Sequence, residues 1–121
     1  MLVVEDDDVI RDALRGALID RCNVVCVATL ASARTLLMGI RFDVVLLDLL
    51  LRGEHAEELL HSMANEGVPR TPVVVVSASR EAARIANGYG LPFVAKPFDI
   101  DGILAALDTA IESQATPRIR V

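Results

Sequence analysis

The stretch that decides the fold is FDVVLLDL, residues 42–49. Its apolar residues follow one another without alternating with polar ones, as in strands that helices cover on both faces. Similar apolar runs lie at Leu2–Val4, Val24–Val27, Val73–Val76 and Phe93–Ala95. Because longer segments separate these runs, the sequence predicts alternating strands and helices around a parallel five-stranded sheet, an α/β fold of three layers.

The segments between the strands carry apolar residues three or four positions apart, which is the period of amphipathic helices. In the first segment the predicted buried face comprises Val9, Ile10, Ala13, Leu14, Ala17 and Leu18, and the opposite face comprises Arg11, Asp12 and Arg15. The fourth helix, at Arg80–Asn87, is predicted to be short because glycines and a proline follow it. Asp99 is placed to cap the last helix.

The composition limits the classes of function. The chain has 121 residues, the size of one domain, and its formal net charge of −5 disfavours binding to nucleic acid or anionic membranes. Two cysteines, Cys22 and Cys26, have no further ligands at metal-binding spacing and are expected to be reduced. No secretory or membrane-spanning segment is visible, so we expect a cytoplasmic domain over residues 1–112, with residues 113–121 as a tail or the start of a linker.

Carboxylates follow two of the predicted strands. Glu5 and Asp6 come directly after the first strand, and Asp48 ends the third. If these strands are neighbours, as in the flavodoxin-like order 2-1-3-4-5, the three carboxylates converge at the carboxyl edge of the sheet. Ser77 and Lys96 end the fourth and fifth strands and reach the same edge.

Three carboxylates brought together without a cation would raise one another's pKa values and destabilise the fold. Mg²⁺ relieves this repulsion, since it prefers oxygen ligands and is usually held by one or two carboxylates, water and phosphate. Lys96 and Ser77 supply a positive charge and a hydroxyl donor where a phosphoryl group would lie. The set therefore indicates phosphoryl chemistry with an aspartate as acceptor.

These motifs, taken in order from the first strand to the last helix, resemble the receiver domain of bacterial two-component response regulators. LVVEDD at residues 2–7 is similar to the family's acidic pair after strand one, and FDVVLLDL to its phosphorylation strand. The resemblance implies that Asp48 is the phospho-acceptor. It also implies that Glu5, Asp6, Asp48 and the backbone carbonyl of Leu50 hold Mg²⁺ or Mn²⁺.

Two further motifs extend the resemblance. VVSA at residues 75–78 is similar to the family's switch hydroxyl followed by a small residue, which implies that Ser77 and Ala78 contact the phosphoryl group. FVAKPF at residues 93–98 is similar to its aromatic-x-x-Lys-Pro-Phe motif, which implies that Phe93 moves with Ser77, that Lys96 contacts the phosphoryl group and that the bond before Pro97 is cis. The implied partners are a sensor histidine kinase or phosphotransfer protein and a downstream output protein, with no direct contact to nucleic acid or membrane.

The chain departs from the family pattern in two places. Arg52-Gly53-Glu54-His55-Ala56 stands where the family has a proline and then an Asp-Gly pair, so this loop is expected to differ in shape. The spacing between Ser77 and Lys96 is shorter than usual by roughly one helical turn, which agrees with a short fourth helix. Leu50 is apolar where a polar side chain could orient water, which predicts slow hydrolysis of a phosphorylated Asp48.

The sequence also bears on three other functions. A phosphorylation-independent interaction module would share the fold but would not require the full set of polar residues. A Mg²⁺-dependent phosphohydrolase with an aspartate nucleophile usually carries a second aspartate two positions later, where this chain has Leu50. A flavin carrier needs a phosphate loop after the first strand and aromatic residues around the flavin, and the sequence has neither. We therefore expect a self-modifying switch and not an enzyme with an independent substrate.

Overall fold

The structure is a computed structural model that describes residues 1–51, 54–65 and 71–115. Of the sequence predictions, those that concern Arg52, Gly53 and the tail from residue 116 lie outside the described residues, as does the side chain of His55. The described part contains a five-stranded sheet with helices on both faces, in agreement with the predicted three-layer arrangement.

Strands and helices alternate along most of the chain. The strands are β1 (Leu2–Val4), β2 (Val25–Val27), β3 (Val45–Asp48), β4 (Leu50–Leu51), β5 (Glu54–His55), β6 (Val73–Ser77) and β7 (Phe93–Ala95). The helices are α1 (Asp8–Leu18), α2 (Leu30–Gly39), α3 (Glu57–Asn65), α4 (Arg80–Gly88) and α5 (Ile100–Ala115).

The main sheet has five parallel strands in the order β2-β1-β3-β6-β7. Numbered among themselves, these strands follow the predicted order 2-1-3-4-5, so the flavodoxin-like topology is confirmed. β4 and β5 were not predicted. They form a separate antiparallel hairpin directly after β3, in the loop where the sequence departs from the receiver pattern.

Alternate residues of each strand face opposite helical layers, because successive side chains of a strand point to opposite faces of the sheet. In β3, Val45 and Leu47 are fully buried against the layer that contains α2, α3 and α4. Leu46 lies on the other side with α1 and α5. Burial on both faces thus explains the continuous apolar run of β3. Each fully buried aliphatic side chain stabilises the fold by about 1.5–3 kcal/mol.

Helix α1 begins where its sequence provides a cap. The carboxylate of Asp7 accepts hydrogen bonds from the backbone N–H groups of Val9 and Ile10, at 2.9 and 3.2 Å. The predicted buried face was too wide, because Val9 is 72% exposed and Ala13 is also exposed. At 3.6 residues per turn, Val9 lies about 140° around the helix from the buried Leu14, so it cannot share the same face.

The last two helices also end or begin as the sequence predicts. Helix α4 is short, begins at the cap residue Ser79 and is followed by Gly90, which has a φ of 70°. Such a backbone conformation favours glycine, so the chain can turn sharply toward β7. Asp99 precedes α5, and its carboxylate accepts from the N–H of Gly102 at 2.7 Å, which confirms its role as a cap.

Candidate functional site

The polar residues predicted from the strand ends lie at the carboxyl edge of the sheet. β1 is paired with β3, and Glu5 directly follows β1 while Asp48 ends β3. β6 lies beside β3 on its other side and ends at Ser77, whose carbonyl accepts from the N–H of Lys96 at 3.0 Å. The parallel register therefore brings Glu5, Asp48, Ser77 and Lys96 to one edge.

Asp48 is a buried carboxylate with both oxygens hydrogen-bonded. It is 5% exposed. Its Oδ2 accepts from the ammonium group of Lys96 at 2.9 Å, and its Oδ1 accepts from the backbone N–H of Leu50 at 2.9 Å. A carboxylate at the end of an apolar strand is stable only when it is compensated in this way, since an isolated buried charge is strongly unfavourable.

Glu5 is the most deeply buried acid of the site, at 3% exposure. Its Oε1 accepts from the Lys96 ammonium group, whereas its Oε2 is buried with no hydrogen-bond partner among the described residues. The pKa of Glu5 is raised to about 7, mainly by burial; the hydrogen bond from Lys96 opposes the rise, and the neighbouring Asp48 adds to it.

Lys96 joins the two buried acids as a single cation. Burial lowers the pKa of its ammonium group, but the hydrogen bonds and negative charges of Glu5 and Asp48 outweigh burial and raise the pKa overall. The Lys96–Pro97 peptide bond is cis, as the resemblance implies. One ammonium group therefore serves two buried carboxylates.

The acidic groups fit a hard divalent cation. Ligand oxygens of Glu5, Asp6 and Asp48 all lie within 4.8 Å of one another. The unpartnered Oε2 of Glu5 is a buried acceptor of the kind that Mg²⁺ binds, and carboxylate oxygens are the preferred protein ligands of this ion. These residues could therefore hold Mg²⁺, with waters and a phosphate completing its coordination.

Ser77 is 1% exposed, and its hydroxyl oxygen accepts from the N–H of Ser79 at 3.3 Å. Ser79, two residues later, caps α4, and its hydroxyl accepts from the N–H of Glu81 at 3.1 Å. Ala78 is exposed beside Ser77. Phe93 is partly buried and packs against the core layer of α2, α3 and α4.

Leu50 follows Asp48 by two residues and begins the hairpin. Its side chain is 57% exposed. His61 is exposed on α3. Cys22 and Cys26 are free thiols, as expected, and both are partly buried.

Arg11 is the residue near the site that the sequence analysis misplaced. It was assigned to the outer face of α1, but it is partly buried, and its guanidinium Nη1 donates to the backbone carbonyl of Glu5 at 2.8 Å. An arginine in the first turn of a helix that follows an acidic loop is long enough to reach back to that loop, which is the signal that could have identified it.

Comparison with known proteins places the chain in one family. Residues 1–108 match the family described as "Response regulator receiver domain". Transcriptional regulatory protein DltR of Streptococcus agalactiae is 30% identical over 112 residues, which cover 88% of this chain and 49% of DltR. The chain thus spans about half the length of the curated relatives that it matches.

Solved structures agree with this assignment. A CheY-like receiver domain protein from Methanospirillum hungatei superposes with a TM-score of 0.82 and 23% identity, over 94% of each chain, which shows the fold. NtrX from Brucella abortus superposes with a TM-score of 0.83 and 28% identity, over 94% of this chain and 27% of NtrX. Among the described helices, none is both long and apolar enough to cross a bilayer. By family match, fold and strand-end residues, the chain belongs to the response regulator receiver domain family.

Proposed function

We propose that this receiver domain is a phospho-acceptor switch, phosphorylated on Asp48 in the presence of Mg²⁺, which signals by changing the proteins that it binds. The observation that carries the proposal is the double contact of Lys96. Its ammonium group bonds the carboxylates of both Glu5 and Asp48, and the second oxygen of Glu5 is left without a partner. A structural ion pair would satisfy both oxygens, whereas a site for a cation and a phosphoryl group leaves acceptors free.

The metal ligands in this proposal are Glu5, Asp6, Asp48 and the backbone carbonyl of Leu50. Mg²⁺, or Mn²⁺ in its place, would neutralise negative charge on the phosphoryl oxygens. The sharing of Lys96 supports this role, since two buried carboxylates, Glu5 and Asp48, contact the same ammonium group.

The carboxylate of Asp48 acts as the nucleophile. One of its oxygens forms a bond to phosphorus as the bond between phosphorus and the donor's leaving atom breaks, and the leaving group departs with the bonding electrons. Lys96 and Ser77, with Ala78 beside it, contact the transferred phosphoryl group. Hydrogen-bond donors at the carboxyl edge of the sheet therefore face its negatively charged oxygens. Ser77 then moves toward the phosphoryl group, and Phe93 turns inward with it.

Receiver domains are in general signalling modules and not enzymes, and they interact with histidine kinases and output domains. For this chain we propose a sensor histidine kinase or phosphotransfer protein as the phosphodonor, a downstream output protein as the reader and the bacterial cytoplasm as the location. Residues 1–112 would form the receiver domain, and residues 113–121 a tail or the start of a linker.

Two functions compete with this proposal. An interaction module without phosphorylation would not need the cluster of Glu5, Asp6 and Asp48, two of which share a partly buried lysine. A phosphohydrolase would need an acid or base near Asp48, and Leu50, two residues later, has an exposed apolar side chain. The phospho-acceptor switch accounts for both observations.

Beryllofluoride, a phosphoryl analogue, tests the proposed site without a phosphodonor. We expect fluorine NMR to show bound beryllofluoride with the native protein and Mg²⁺, and no bound signal with Asp48→Asn or with a chelator. Asp43→Asn is the matched control, because Asp43 is an exposed aspartate two residues before the start of the same strand. Binding that survives Asp48→Asn, or no binding by the native protein, would contradict the proposal.

A further inference from the structure

The hairpin of β4 and β5 lies between the proposed phosphorylation site and the start of α2. Its first residue, Leu50, donates its backbone N–H to Oδ1 of Asp48 at 2.9 Å. Leu50 is paired with His55, and Leu51 with Glu54. The backbone N–H of Ala56 continues the pairing by donating to the carbonyl of Leu49 at 3.2 Å.

Glu54 ties the second strand of this hairpin to a different element. Its Oε2 accepts from the backbone N–H of Leu30, the first residue of α2, at 3.3 Å. The first N–H groups of a helix have no partner within the helix, and the positive end of the helix dipole favours a carboxylate there. Thr29 already caps α2 by accepting from the N–H of Ser32, so Glu54 satisfies a different donor.

The start of α2 is itself held at the edge of the sheet that carries the acids. Val27 ends β2 three residues before Leu30, and its carbonyl accepts from the N–H of Glu5 at 3.0 Å. The hairpin therefore has two attachments. Leu51 is buried in the core on one strand, and the Glu54 carboxylate holds the other strand to a fixed helix end.

We propose that Glu54 is a positioning residue that holds the Leu50 backbone against Asp48, and thereby sets how readily the site binds Mg²⁺ and accepts a phosphoryl group. The proposal rests on the proposed function. Leu50 offers its N–H to Asp48, and its carbonyl is a proposed metal ligand, so a displaced hairpin changes both contacts. Groups that orient metal ligands commonly change metal affinity by roughly 10–100-fold when they are removed.

The test compares two substitutions at one position. Glu54→Ala removes the acceptor, and Glu54→Gln keeps an oxygen that can accept from Leu30. Glu58→Gln is the control, since it breaks the exposed 3.5 Å ion pair with Arg34 that joins α3 to α2 and leaves the hairpin intact.

Two measurements are made on the full chain. Amide hydrogen exchange reports the Leu50 N–H directly, and mass spectrometry after incubation with acetyl phosphate gives the Mg²⁺ concentration for half-maximal labelling. We expect Glu54→Ala to speed exchange at Leu50 and to raise that Mg²⁺ concentration roughly tenfold. We expect the exchange rate at Leu50 and the Mg²⁺ requirement of Glu54→Gln to be close to those of the native protein. Glu58→Gln should change neither quantity.

Unchanged exchange at Leu50 in Glu54→Ala would overturn the proposal, and so would faster exchange with an unchanged Mg²⁺ requirement. If the native protein takes no label at all, the proposed function fails, and the exchange data alone decide whether Glu54 holds Leu50 against Asp48. An effect of Glu58→Gln equal to that of Glu54→Ala would also overturn the proposal, because loosening of α2 would then explain both.

Discussion

The ammonium group of Lys96 lies 2.9 Å from Oδ2 of Asp48 and donates at the same time to Oε1 of Glu5. One cation thus compensates two buried carboxylates that end neighbouring strands. Lys96 is the only lysine in the chain, so no other lysine can take its place. The contact explains how the acids can be buried in the metal-free protein, and it makes Lys96 the first residue to test.

Replacing Lys96 with methionine should destabilise the metal-free protein. Removing one partner of a buried ion pair leaves uncompensated charge, which costs about 3 kcal/mol when the acids are as buried as Glu5 and Asp48. Urea unfolding in the presence of a chelator measures the loss. Arg84→Met is the control, because its ion pair with Glu81 is exposed and contributes less than about 1 kcal/mol. Equal losses in the two variants would show that Lys96 does not compensate the acids.

The stability of the metal-free protein should fall as the pH rises from about 5 to about 7. Burial raises the pKa of Glu5 from 4.5 to about 7, so in this range the folded protein binds a proton that the unfolded chain releases. Stability is therefore higher below pH 4.5 and is lost as the pH passes through the folded-state pKa. Urea midpoints of the native protein and of Glu5→Gln, measured across this range, isolate the contribution. A difference between the two that does not change with pH would contradict the raised pKa.

Two serines separated by one residue should have different roles. Ser77→Ala removes a buried hydroxyl at the site, and we expect its affinity for beryllofluoride to fall roughly tenfold, as for a lost hydrogen bond to a charged group. Ser79→Ala removes the cap of α4 and should lower the free energy of unfolding by about 1 kcal/mol with no change in that affinity. Titration with beryllofluoride and urea unfolding separate the two effects. The same loss of affinity in both variants would mean that Ser77 acts only through α4.

Leu50 should slow the hydrolysis of phosphorylated Asp48. Its exposed apolar side chain cannot orient water, whereas an asparagine at this position can hydrogen-bond to an attacking water molecule. We expect Leu50→Asn to speed the decay of the phosphorylated protein roughly tenfold, measured by intact mass over time. Met38→Asn is the control, since Met38 is 89% exposed at the far end of α2. Decay that is faster in the native protein than in Leu50→Asn would contradict this role.

Much of the fold could be predicted because its signals are local and repeated. The unbroken apolar run of β3 identifies a strand buried on both faces, and the acids and lysine at strand ends must meet once the sheet is parallel. Asp99 was recognised as a helix cap for a similar local reason. The buried face of α1 was predicted less well. The pattern of apolar residues three or four positions apart includes Val9, but Val9 lies on a side of the helix that faces away from the core.

The features that could not be predicted from the sequence depend on contacts between distant parts of the chain. The bond from Glu54 to Leu30 joins residues 24 positions apart, and neither residue carries a local signal for it. The hairpin that contains Glu54 has two residues in each strand, which is too short to produce a periodic pattern. The contact of Arg11 with the Glu5 carbonyl likewise depends on how α1 lies over the loop before it.

The central claim is that Asp48 accepts a phosphoryl group with the help of a divalent cation, and intact mass spectrometry after incubation with acetyl phosphate tests it most directly. We expect one added phosphoryl group on the native protein and on Asp43→Asn with Mg²⁺, and none on Asp48→Asn or in the presence of a chelator. No adduct on the native protein, or an adduct that persists in Asp48→Asn, would contradict the account and favour an interaction module that works without phosphorylation.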